Sequence, residues 1–160
     1  MRVQAGDIVK QRNEDIGRRW FLEMWGKPDL ALADELVDKD YNPSWVSIDA
    51  VGPAQIKHEI KYFRSVFPDL RYEIMDILGA EDRVWIRYKG KATHKGNAWG
   101  FEPTEREFEY EGATILYINP EGKVVDRWGA FCFYDIFMDL GLVPPFWELS
   151  RHFGPADRAS

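Results

Sequence analysis

Histidine, cysteine and the carboxylates are the side chains that could carry chemistry at neutral pH. The chain has three histidines, His58, His94 and His152, and none is spaced from another as zinc ligands are. Its single cysteine, Cys132, allows neither an internal disulfide nor a cysteine metal cluster. A strand-to-helix nucleophile elbow, a phosphate-cradling glycine loop and an H-E-x-x-H zinc motif are all missing. His94 stands out. In the strand pattern of residues 83–95 it shares a face with Val84, Ile86, Tyr88 and Ala92. An imidazole there can shuttle a proton or polarise a carbonyl oxygen. His58 falls off the apolar stripe of its helix and reads as exposed.

Aromatic residues are the second signal. Seven Trp, seven Tyr and ten Phe in 160 residues are more bulk than a simple core needs, and a pocket wall for a hydrophobic small molecule uses the excess. Tyr41, Trp45, Phe63, Tyr88, Trp99, Phe108, Tyr110, Trp128 and Phe131 are the wall candidates. The net charge of −6 argues against a nucleic-acid partner, which needs a basic face. Residues 1–17 contain no apolar run of signal-peptide type, and no stretch is long enough to span a bilayer. A cytoplasmic protein with no membrane partner is expected.

The elements that would hold these residues follow from periodicity. Ile8, Ile16, Trp20 and Met24 mark one helix, which Gly26 and Pro28 end. Leu30, Ala33, Leu36 and Val37 mark a second, and Pro43 with Trp45–Ile48 suggests an extended segment. Gly52-Pro53 opens a third helix with the stripe Ile56, Ile60, Phe63 and Phe67, ended by Pro68. Strands are then expected over 70–79, 83–95, 105–119 and 123–134, with a turn at Asn119–Gly122 and a bulge at Gly112. The tail, 143–160, holds a helical turn. One domain over 1–160, with its core at about 7–142, is expected. Helices first and antiparallel strands after give an α+β fold.

The ordered series Phe67-Pro68-Asp69-Leu70, Asp82-Arg83-Val84, Thr93-His94-Lys95-Gly96, Pro103-Thr104, Gly112, Glu121 to Trp128 and Leu140-Gly141 resembles the SnoaL-like polyketide cyclases of the nuclear-transport-factor-2-like superfamily. The resemblance implies a cone-shaped α+β barrel, with N-terminal helices packed on a curved, mostly antiparallel sheet. It also implies a homo-oligomer, dimer or tetramer, with no metal or organic cofactor. The chemistry implied is acid/base cyclisation, isomerisation or a related proton transfer on a hydrophobic carbonyl-containing substrate. His94 matches the family's T-H-x-G histidine.

The family's general acid stands four residues after the tryptophan of its G-K-[IV]-x-E-x-W segment, and here that position is Cys132. Asp126, at the family's Glu position, could supply an acid but lies too far along the strand to act on the same atom, and Asp135, three residues past Cys132, could swing in if the strand turns there. Cys132 could itself line the site as a weak donor or thiolate; its plain packing role is a small buried residue. Tyr117, Glu105 and Ser44 also depart from the family pattern. Loss of the acid leaves two further readings open: a non-catalytic small-molecule binder of the same fold, and an interaction module that uses an apolar sheet face.

Overall fold

A computed structural model describes residues 5–43 and 50–153. The extended segment expected at 45–48 lies outside the described residues. Helix α1 (Ala5–Arg18) runs directly into a π-helical stretch, Arg19–Trp25, which buries Trp20, Phe21, Met24 and Trp25. Gly26 closes it as expected, donating to the Phe21 carbonyl at 2.9 Å. Helix α2 (Ala31–Leu36) is short. Helix α3 (Pro53–Val66) starts on Pro53 at its first turn and stops before Pro68. Gly52 precedes it with φ of 64°, a conformation that suits a residue without Cβ.

Four strands follow: β1 (Arg71–Gly79), β2 (Arg83–Thr93), β3 (Glu107–Ile118) and β4 (Val124–Phe131). They pair antiparallel in chain order to form one curved, open sheet. The α1 helix and its π-helical extension lie across the inner face. Val84, Ile86, Tyr88 and Leu116 point inward and pack with Trp20, Met24, Tyr41, Ile56 and Ile60. At the other end of the sheet, a second cluster joins Val66, Phe67, Leu70, Ala92 and Phe108 to Ile136 and Leu140. Together these elements make the cone-shaped α+β arrangement. Among the described residues, no helix is long and apolar enough to cross a membrane.

The outer face is divided. Toward one end it carries cross-strand ion pairs: Arg87 with Glu111, Lys89 with Glu109, and Lys91 with Glu107. Toward the other end, register places Leu78, Trp85, Ile115 and Trp128 in one row across all four strands.

Three expectations change. Gly112 is not a bulge, because β2 and β3 stay in register through it. The bulges fall at Met75 and Val125, where one extra residue interrupts pairing. The last strand ends at Phe131, and Phe133–Asp139 forms helix α4. Its run of Phe, Tyr and Ile suits a strand by propensity, but Ile136 and Leu140, four apart, bury one helical face in the second cluster. A 3₁₀ turn (Phe146–Glu148) and α5 (Leu149–Phe153) complete the described chain.

Candidate functional site

A cavity of about 320 Å³ opens between the π-helical stretch, α3 and the inner face of the sheet. That size suits a small organic molecule. The helical side supplies Trp20, Phe21, Trp25 and Phe63, and the sheet supplies Tyr72, Tyr88, Tyr110 and Phe131. Tyr62, Trp99 and Phe133 are part-exposed and sit around the mouth, with Trp99 5.4 Å from Phe133 and 6.0 Å from Tyr62 between ring centres.

Two glycines make this aromatic wall possible. Tyr88 faces Gly112 and Tyr110 faces Gly90 across the β2–β3 ladder. A Cβ on Gly112 would sit 2.5 Å from the Tyr88 hydroxyl, and one on Gly90 would sit 2.4 Å from the Tyr110 ring. Each phenol therefore lies over the glycine of the opposite strand. Tyr72 and Tyr110 bring their hydroxyls to 3.2 Å of each other. Burial pushes the phenols of Tyr72, Tyr88 and Tyr110 up from their ordinary range, so at neutral pH they stay protonated and can donate.

The deep wall holds one charged pair. Arg127 donates from Nη2 to Glu59 Oε2 at 2.7 Å, and the two side chains are 9% and 5% exposed. Arg127 also lies over the rings of Trp20 and Trp25, at 5.8 and 5.7 Å. Burial alone would lower the guanidinium pKa; Tyr41 and Glu59 beside it more than offset this and raise it. The second carboxylate oxygen, Glu59 Oε1, is buried without a hydrogen-bond partner among the described residues. So are the indole nitrogens of Trp20 and Trp25.

Of the sequence candidates, Phe63, Tyr88, Trp99, Tyr110 and Phe131 come together in this cavity. The other candidates among the described residues do not line it. His94 is 1% exposed beside the second cluster, with Phe67 against its ring, and its Nδ1 accepts from the Thr104 backbone N–H at 3.3 Å. It pins the loop between β2 and β3. Phe108 packs on Phe67 in that cluster, and Tyr41 is buried in the main core against Trp20.

Asp126 and Trp128 belong to the outer face, because the bulge at Val125 reverses the alternation of β4. Val124 points inward before it, and Arg127, paired with the inward Leu116, points inward after it. Cys132 is exposed at the start of α4 rather than buried, and Asp135 is exposed in its first turn. Trp45 lies outside the described residues. Reasoning from sequence missed Glu59 and Arg127. The one signal available was Glu59's position, three residues past Ile56 and four before Phe63, beside the apolar stripe of α3. Among the described residues, no group of three or more His, Cys, Asp or Glu side chains could hold a metal ion.

Residues 16–139 match the family model of the SnoaL-like polyketide cyclases. Among curated proteins, none matches the chain significantly. The fold is similar to that of TsrD from Streptomyces laurentii, with a TM-score of 0.76 at 16% identity over 84% of this chain and 98% of that one. A SnoaL-like polyketide cyclase candidate from Jannaschia sp. CCS1 gives 0.76 at 17% identity, over 89% and 100%. AclR from Streptomyces galilaeus, a hydroxylase candidate, gives 0.71 at 23% identity, over 84% and 99%. At these identities the structural likenesses speak to fold alone.

Proposed function

The chain belongs to the SnoaL-like polyketide cyclase family, and from that premise we propose that it is an enzyme of acid/base chemistry on a hydrophobic, carbonyl-containing small molecule. The chemistry is cyclisation, isomerisation or a related proton transfer. One observation carries this reading: an aromatic-walled cavity that encloses a single buried carboxylate–guanidinium pair. The aromatic faces hold a flat apolar body, and the phenols of Tyr72, Tyr88 and Tyr110 offer protonated donors to an oxygen that gains negative charge.

A concrete test uses 2-tetralone, a bicyclic ketone with an acidic carbon next to its carbonyl. Binding is read from quenching of tryptophan fluorescence, and chemistry from deuterium exchange at C1 in D2O by NMR. Faster exchange in the presence of the protein is the expected result. Binding without any acceleration favours the second reading, a non-catalytic binder, which the presence of Cys132 at the family's acid position supports.

We further propose that the protein is a homodimer through the apolar end of the outer sheet face. There Leu78, Trp85 and Trp128 are 64%, 48% and 49% exposed around the covered Ile115. Trp85→Glu with Trp128→Glu is expected to halve the mass seen by light scattering, and a wild-type protein that is already monomeric overturns this.

A further inference from the structure

Glu59 is the sole carboxylate among the described residues that line the cavity. Arg127 holds one of its oxygens, while Oε1 is buried with no partner. A buried carboxylate oxygen without a hydrogen bond is costly to retain, and such sites call for an explanation in ligand or mechanism. Position 132, where the family has its acid, is exposed at the start of α4. Asp126 and Asp135 are exposed and do not line the cavity. The acid that the cavity contains therefore comes from helix α3 and not from β4.

We propose that Glu59 Oε1 is the acceptor for an acidic hydrogen of the substrate, and that the substrate class is a flat aromatic molecule bearing an enolisable ketone or an enolic or phenolic hydroxyl. This rests on the enzymatic reading above and deepens it. With a ketone, the bond from the acidic carbon to hydrogen breaks and the Glu59 O–H bond forms. The electron pair moves into the new carbon–carbon double bond, and the carbonyl oxygen takes the charge. A buried phenol, Tyr110 or its partner Tyr72, donates to that oxygen. The proton then returns from Glu59 to carbon or oxygen of the product, so the carboxylate is regenerated and no oxidant is consumed. Arg127 is a positioning residue. Its hydrogen bond at Oε2 and its seat over two indoles fix which oxygen faces the substrate.

The test is Glu59→Gln, in which the amide oxygen can keep the hydrogen bond from Arg127 while an NH₂ replaces Oε1, exchanging an acceptor for a donor. Two measurements are made on the full chain. In the first, wild type is expected to bind 2-naphthol at least ten-fold more tightly than 2-methoxynaphthalene, which has no hydrogen to donate, and Glu59→Gln is expected to bring the two within two-fold. In the second, Glu59→Gln is expected to slow 2-tetralone exchange at least a hundred-fold while its Kd stays within three-fold.

The proposal is overturned by a variant that keeps the naphthol preference, by a wild type that shows none, or by exchange in the variant within three-fold of wild type. If wild type binds 2-tetralone but never exchanges it, the enzymatic reading fails, and the naphthol preference alone then decides for or against Glu59 as the acceptor. Should Glu59→Gln not fold, Glu59→Asp, with its carboxylate drawn back by one methylene, is expected to slow exchange at least ten-fold; unchanged exchange overturns the assignment.

Discussion

Removing Arg127 alone and removing it together with Glu59 should have opposite consequences. Arg127→Met leaves a carboxylate that is 5% exposed without its counter-charge. Breaking one side of a buried pair in this way costs about 3–5 kcal/mol. The seat over Trp20 and Trp25 is lost as well, and a desolvated cation–π contact adds up to about 2 kcal/mol. For a domain of this size, each kcal/mol lowers Tm by about 2–4 °C, so a fall of about 6–28 °C is expected. Arg127→Met with Glu59→Leu removes both charges and fills the space with apolar atoms. Replacing a whole buried pair is neutral or stabilising by about 1–4 kcal/mol in comparable sites. The lost cation–π contact brings the expected net close to zero. Urea unfolding followed by tryptophan fluorescence, with thermal melts by circular dichroism, measures all three proteins. The reasoning is refuted if the single variant loses less than about 1 kcal/mol, or if the double variant is no more stable than the single. A double variant that is stable and yet fails to hold 2-naphthol would mean that the pair is kept for its ligand.

Three more outcomes are expected. Gly112→Ala drives a methyl against the Tyr88 hydroxyl, 2.5 Å away, and should cost about 1–3 kcal/mol by urea unfolding while weakening 2-naphthol binding. His94→Ala should cost about 1–3 kcal/mol by leaving the Thr104 N–H unpaired, yet leave the rate of 2-tetralone exchange unchanged at saturation; a collapsed rate in a folded variant would return His94 to the chemistry. Partial burial works to raise the Asp69 pKa, but hydrogen bonds from the hydroxyl and backbone N–H of Thr93 hold it below its ordinary value of 3.8. Its stabilising contribution is therefore complete above about pH 4 and is lost as pH falls through the lowered value. Asp69→Asn should flatten the drop in urea midpoint below about pH 4, and an unchanged acid limb would disprove it.

The helical half of the fold was legible because its punctuation is local. Gly52-Pro53 and Pro68 bracket α3, and Gly26 closes the π-helical stretch. The turn at Asn119–Gly122 was legible for the same reason, with Gly122 at a φ of 81°. The inner face of β2 could be read from alternation alone, since β2 pairs with β3 without interruption. On β4 the same reading failed. A bulge is set by the partner strand and by tertiary packing, and nothing in Val124-Val125-Asp126 announces it. That one extra residue exchanged Trp128 for Arg127 as the side chain facing the cavity. Glu59 was hidden differently. A polar residue on an amphipathic helix is taken as solvent-facing until its partner is known, and that partner lies 68 residues away. His94 was placed on the correct face, but alternation along a strand does not say which end of the cone the residue occupies.

The reciprocal seating of Tyr88 over Gly112 and Tyr110 over Gly90 has a consequence for how specificity could evolve in this pocket. Each cross-strand pair holds one ring and one bare backbone position, so side-chain volume is conserved across the pair while its location is free. Exchanging the members of a pair, as in Tyr88→Gly with Gly112→Tyr, would keep that volume and leave the ladder intact. It would carry the phenol sideways by one strand spacing, about 4.8 Å. The inner face of the sheet then behaves as a grid of addresses on which a hydroxyl can be re-posted by compensated double substitutions, changing which oxygen of a substrate is met without reshaping the fold that presents it.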